Sequence, residues 1–206
     1  MTTDSSERRY SDDLAQRVDT GENRLPPGQR LTKDWPVLTY GGTPIVKTDE
    51  WQLSIWGEVE QELTWSYDDL MALGLTHRFN DIHCVTHWSR YDNDWEGILW
   101  SDLIAKVGLK RDALAVMFHS YGGYTSNVPL EDLARDDHAM LAIRHDGDRI
   151  AAEHGGPVRA VIPSLYFWKS AKWVGGIEFL PQDRPGFWEM YGYHLHGDPW
   201  TEERYA

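Results

Sequence analysis

The chain has a single cysteine in 206 residues, so it forms no internal disulfide, and one thiolate cannot ligate an iron–sulfur cluster. Cations are scarce as well. The 20 Lys and Arg face 33 Asp and Glu, and the net charge of −13 argues against nucleic-acid binding, which draws on cations that neutralise phosphates, and against an anionic membrane surface. No apolar run approaches the ~18 to 20 residues of a spanning helix. The first residues, MTTDSSERRYSDD, do not read as a signal peptide. The expectation is a cytoplasmic protein acting on a small molecule, with no nucleic-acid or membrane partner. What the chain does have is aromatic bulk, 11 Trp and 10 Tyr, whose polar tips suit a core built round an enclosed polar site.

Residues 1–29 are polar and then Pro-rich, and read as an extended or disordered N-terminal arm; residues 30–206 read as one domain. In WQLSIWG at 51–57 Trp51, Leu53 and Ile55 alternate with polar residues, the mark of a strand with one buried face. Short apolar runs at 113–118, 140–144, 158–162 and 173–179 predict further strands. Ser66 before YDDLMAL is a candidate helix N-cap, with Gly74 as the stop, and Ser101 with Gly108 repeats that grammar. Short strands mixed irregularly with short helices, without regular βαβ alternation, predict an α+β domain with mixed, largely antiparallel sheets.

Three segments could carry chemistry. In FNDIHCVTHWSRY (79–91) the lone Cys84 stands between His83 and His87; a thiolate is a natural soft metal ligand, although a single free cysteine taken alone is usually an inert core residue. In the stretch from Gly155 to Gly176 there are three cations, Arg159, Lys169 and Lys172, and no Asp or Glu. In so acidic a chain this points to a held anion, with Gly155 and Gly156 allowing close backbone approach and the cations forming a clamp, or else to cations that balance acids elsewhere. The tail at 185–205 sets Tyr193, His194 and His196 among aromatics, as a funnel wall or lid would.

Together and in this order, these segments resemble the molybdopterin-binding domain of the sulfite oxidase family, above all its small prokaryotic members, over about residues 30–200. The resemblance implies a sulfite-oxidase-like domain with a molybdopterin cofactor and molybdenum ligated by Cys84. HGGPVR resembles the family's H-G-x-P-x-R, which places His154 and Arg159 on the pterin and its phosphate. KSAKW carries over Ser170, Ala171 and Lys172, and Ser120, just past FHS, is the matching cofactor contact. The spacing Trp188 to Tyr193 resembles the family's W-x4-Y, whose tyrosine lies beside the metal oxo group, so Cys84 and Tyr193 are the catalytic candidates.

The departures concern substrate. Where sulfite oxidases have an Arg-Asn-His segment the chain reads LTYGGTP, so Tyr40 stands in the place of an anion-binding arginine. The family's Gly-Asn-Arg-Arg run after the cysteine is replaced by VTHWSR, with Arg90 left as a cation that could reach the pocket. A small dianion needs several charge-assisted bonds to leave water, which weakens the case for sulfite. The resulting expectation is two-electron oxygen-atom transfer, as S-oxide or N-oxide reduction or sulfite-type oxidation, with Tyr193, His87 or Tyr40 as proton donor and a separate electron carrier. The alternatives are a zinc or non-haem iron enzyme using His83, Cys84 and His87, and a non-catalytic binder of an anionic ligand.

Overall fold

Eleven strands in two sheets, three short α-helices and three 3-10 turns lie within residues 24–206, the part of the chain that the structure, a computed structural model, describes. Most of the expected arm, residues 1–23, lies outside the described residues. Its end is fastened. Arg24 bonds the carboxylates of Asp81 and Asp92, and Gln29 Nε2 donates to Cys84 O at 2.9 Å.

The first sheet runs β1 (Arg30–Leu31), β5 (Trp88–Leu99), β8 (Met140–His145), β10 (Arg159–Val161), with β4 (Thr76–Cys84) also paired to β5 and β9 (Asp148–Arg149) to β8. The second runs β3 (Leu63–Ser66), β2 (Gln52–Gly57), β11 (Val174–Leu180), β6 (Ala115–Ser120), β7 (Thr125–Pro129). The pairings β1 with β5 and β2 with β11 are parallel and the other strand pairings are antiparallel, so the expected mixed, mainly antiparallel α+β architecture holds.

Alternation explains how the layers stack. On β2, Leu53 and Ile55 are fully buried while Gln52 and Ser54 are exposed, and they join Phe118, Ile177 and Phe179 in the main core. On β8 the run Met140, Leu141, Ala142, Ile143 is buried throughout. Leu141 and Ile143 face the main core, whereas Met140 and Ala142 face a second core with Trp88, Trp95 and Cys84, so the first sheet is covered on both faces. That second face carries the site.

Helix α1 (Tyr67–Met71) starts as expected: Ser66 Oγ accepts from Asp69 N at 3.2 Å and Asp69 returns a carboxylate to Ser66 N at 2.8 Å, while Gly74 closes the turn at φ +93°. Helix α2 (Trp100–Ile104) departs from the reading that Ser101 caps it. Leu99 is the N-cap and gives no side-chain bond, because β5 runs straight into the helix and the buried Trp100 occupies its first position. Helix α3 (Leu130–Arg135) follows β7 without a break. Among the described residues no helix is long and apolar enough to cross a membrane.

Candidate active site

Cys84 ends β4, and Val85, Thr86 and His87 turn the chain into β5, with His87 N donating to Cys84 O at 3.1 Å. Side chains alternate along a strand, so neighbours point to opposite faces. Cys84 lines a cavity of about 420 Å³, while the buried His83 turns away and sets Nδ1 2.8 Å from Ser89 Oγ. Burial pushes the Cys84 thiol up, and hydrogen bonding from Thr86, whose Oγ1 lies 3.1 Å from Sγ, opposes that rise.

The cavity wall comes from five stretches: 35–40, 84–88, 122–124, a group between Arg159 and Trp173, and 187–193. None of its lining residues is Asp or Glu. Arg159, at the start of β10, is 1% exposed and spends its donors on backbone: Ala160 O at 3.3 Å, His154 O at 2.6 Å and Ser170 O at 2.9 Å. No carboxylate pairs with it among the described residues, and desolvation pulls the guanidinium down to about 9. Aromatic faces surround it, Phe167 at 4.3 Å and Trp35 at 5.4 Å. Lys172 Nζ likewise donates to neutral oxygens, Leu38 O, Thr39 Oγ1 and Glu153 O, at 2.7 to 2.9 Å. Burial, and then repulsion from Arg159, lowers it to about 7. A buried Arg159 and a half-buried Lys172 facing one acid-free cavity suit an anionic ligand, since a desolvated charge is stabilised by an opposite one.

Of the residues singled out from sequence, Cys84, Tyr40, Arg159, Ser170, Lys172 and Tyr193 line this cavity together. Tyr193 stacks on Trp188 at 5.0 Å, and burial pushes its hydroxyl up, so it stays protonated near neutrality. Ser120, His154 and Ala171 stand outside the wall and support it. Ser120 Oγ donates to Lys172 O at 2.6 Å, the His154 ring stacks on Trp35 at 3.8 Å, and Ala171 O accepts from Ala160 N at 2.8 Å.

Other expected contacts fall elsewhere. Lys169 points into the protein and pairs with Glu189 at 2.7 Å, both side chains buried, so it takes no part in the cavity clamp. Arg90 bonds Asn93 and Asp146, and His87 Nδ1 meets Gly28 O at 2.9 Å. Neither lines the cavity. Gly155 and Gly156 serve packing: a Cβ on Gly156 would lie 2.0 Å from Ile150 O, and Gly155 holds φ +105° against Lys172. Because His83 and Cys84 diverge, they do not form a three-ligand site with His87, and no group of three His, Cys, Asp or Glu that could hold a metal ion occurs among the described residues. The part of the 185–205 tail read as a funnel wall does line the cavity, through Phe187, Trp188 and Tyr193, whereas the wall residues from stretches not singled out in the sequence are Trp35, Pro36, Gly122, Gly123 and Tyr124. The Gly-Gly pair just past FHS was the one visible signal for the 122–124 wall.

The family model for the oxidoreductase molybdopterin-binding domain matches residues 40–188, and the chain belongs to that family: it is a molybdopterin-dependent oxidoreductase. Its relatives include the protein named uncharacterized oxidoreductase YuiH of Bacillus subtilis (strain 168), 44% identical over 184 residues, which are 89% of this chain and 92% of YuiH. The catalytic subunit MsrP of a protein-methionine-sulfoxide reductase from Ralstonia nicotianae is 29% identical over 180 residues, covering 78% of this chain and 54% of that one. The chain thus spans about half the length of that reductase subunit. In fold it is similar to the sulfane dehydrogenase SoxCD from Paracoccus pantotrophus, with a TM-score of 0.62 at 21% identity, covering 68% of this chain and 41% of that chain.

The residues present fit a molybdopterin. Cys84 offers a soft donor, and Arg159 and Lys172 offer cations without carboxylates to a phosphate. Trp88 Nε1, in the same wall, is a buried donor with no hydrogen-bond partner among the described residues.

Proposed function

We propose that the chain reduces a small S-oxide or N-oxide at a molybdenum centre held by the Cys84 thiolate. The observation that carries this is the meeting of Cys84, Arg159 and Lys172 on one acid-free cavity whose outer wall is apolar and aromatic. Leu38 and Tyr40, 50% and 67% exposed, stand on that wall, with Tyr40 packed 4.9 Å from Phe187. Arg159 and Lys172 serve the cofactor phosphate, which leaves no further Lys or Arg in the wall for a sulfite dianion; Tyr40 gives a neutral hydroxyl instead. A relative bears the name protein-methionine-sulfoxide reductase, which agrees with a thioether S-oxide as substrate class. Sulfite-type oxidation is the reverse chemistry and the reading that the assay below must separate.

When bound, the molybdenum cofactor supplies two-electron oxygen-atom exchange. The S–O bond breaks, the oxygen leaves as water with two protons, and the two electrons come from a separate electron-carrier protein. Tyr193, kept protonated by its burial, donates a hydrogen bond to the substrate oxygen, and its stacking on Trp188 with an edge contact from Trp168 at 5.2 Å fixes the ring. Trp35, Phe187 and Trp188 keep bulk water out. Arg159 orients the cofactor through charge-assisted bonds.

The test is purification from a host that makes the cofactor, followed by metal and pterin analysis. Oxidation of a reduced viologen dye by methionine sulfoxide, dimethyl sulfoxide and an amine N-oxide is then compared with sulfite-dependent ferricyanide reduction. The expected result is molybdenum near one per chain and dye oxidation with S-oxides that disappears in Cys84→Ser. Faster turnover with sulfite overturns the direction, and full activity in Cys84→Ser overturns the ligand.

A further inference from the structure

The turn after Cys84 is fastened from several sides. Cys84 O accepts from Gln29 Nε2 at 2.9 Å and from His87 N at 3.1 Å, Val85 O accepts from Arg204 Nη1 at 2.7 Å, and His87 O accepts from Arg30 N at 3.0 Å. The His87 ring is tied to Gly28 O, and Arg204 is itself 7% exposed. Segments near both ends of the described chain, 28–30 and 204, therefore converge on one three-residue turn. In its middle sits Thr86, a residue exposed overall whose hydroxyl is nonetheless 3.1 Å from Cys84 Sγ. Its backbone N–H also favours the thiolate form of that sulfur.

We infer that Thr86 is a positioning residue for the cofactor, whose hydroxyl donates to the Cys84 thiolate and thereby sets the reduction potential of the metal centre. This rests on Cys84 being the metal ligand. A thiolate has no proton to give, so in the ligated state the Thr86 O–H must be the donor and the sulfur the acceptor. Both donors of one residue then draw electron density from sulfur, which makes it a weaker donor to the metal and favours the reduced metal. The fastened turn fixes the donor beforehand, so little reorganisation accompanies electron transfer. Such tuning suits a centre that must be reduced by a carrier before it meets an oxidised substrate.

Three holoenzyme variants, Thr86→Val, Thr86→Ser and Cys84→Ser, test it by molybdenum content, redox titration and the electron paramagnetic resonance spectrum of the one-electron-reduced metal. Thr86→Val keeps the side-chain shape and loses the hydroxyl; the expected result is a midpoint potential shifted to lower values and a changed spectrum. Thr86→Ser keeps both donors and is expected to match the wild type. An unchanged potential and spectrum in Thr86→Val, at wild-type molybdenum content, overturns the inference. If Thr86→Val fails to load metal, Thr86→Ser decides, and a potential in that variant away from wild type overturns it equally. Cys84→Ser separates the two levels: a wild-type spectrum there overturns the ligand reading itself, whereas a changed one beside an unaltered Thr86→Val overturns the role of Thr86 alone.

Discussion

Arg159 and Lys169 are buried cations on the same acid-free stretch, and their surroundings differ in the one respect that matters. Lys169 Nζ meets Glu189 at 2.7 Å and also donates to Asn127 and Leu195, so its charge is neutralised within the protein. Among the described residues Arg159 meets carbonyls and aromatic faces, with no carboxylate, and borders a cavity. Equal burial thus has two meanings. A cation with an internal counterion ties segments together, here β7 to the 185–195 tail that walls the site, while a cation without one is held ready for a ligand.

The largest expected effect comes from breaking the first kind. Lys169→Met leaves Glu189 charged and buried, and a loss of about 3–5 kcal/mol in urea unfolding is expected, with or without cofactor. Arg159→Met removes a charge that has no carboxylate partner among the described residues. It should cost the cofactor-free protein clearly less than Lys169→Met does, yet weaken cofactor retention roughly 10- to 100-fold, the worth of one or two charge-assisted bonds. Equal destabilisation by the two variants, or wild-type cofactor retention in Arg159→Met, would erase the distinction.

The sequence carried this distinction only halfway. Three cations without an acid marked the region, but Glu189 lies 20 residues beyond Lys169, so only folding shows which cation already has its partner. The strands whose side chains alternate cleanly were readable, as Leu53 and Ile55 show, and so was the capping box at Ser66. The longest strands, β4 and β5, do not show in the side-chain pattern. Their polar residues, among them His83, Ser89 and Asn93, are buried in a hydrogen-bonded layer that no hydrophobic period announces. Trp35 was hidden for a different reason: it belongs to an irregular segment placed over the site by Lys172 and by stacking on His154, contacts between residues more than 100 positions apart.

A smaller effect separates the two faces of β4. Burial lowers His83 to about 4, below its ordinary value of about 6.5, so between those values the unfolded chain binds more protons than the folded one. Stability contributed by neutral His83 is complete above about pH 6.5 and is lost as pH falls towards 4, by roughly 2–3 kcal/mol. His145, lowered to about 4 mainly by burial, adds to the same window. His83→Asn should flatten this part of the stability profile. Because His83 leaves the face opposite Cys84, cofactor loading should not change the amount by which the variant flattens it. A cofactor-dependent change would mean that the two faces are coupled.

The smallest effect belongs to the far side of the molecule, where local chemistry works without reference to the cavity. Ser66→Ala removes the acceptor for Asp69 N at the start of α1, and helix caps of this kind are worth about 1 kcal/mol. The helix anchors itself on the main core through Leu70, and the core that contains Cys84 lies across the first sheet from it. A lower denaturation midpoint with unaltered molybdenum content and potential is therefore expected. If this distant cap changes the potential as Thr86→Val is expected to, the metal centre responds to global stability, and the contrast between ligand-holding and fold-holding groups is lost.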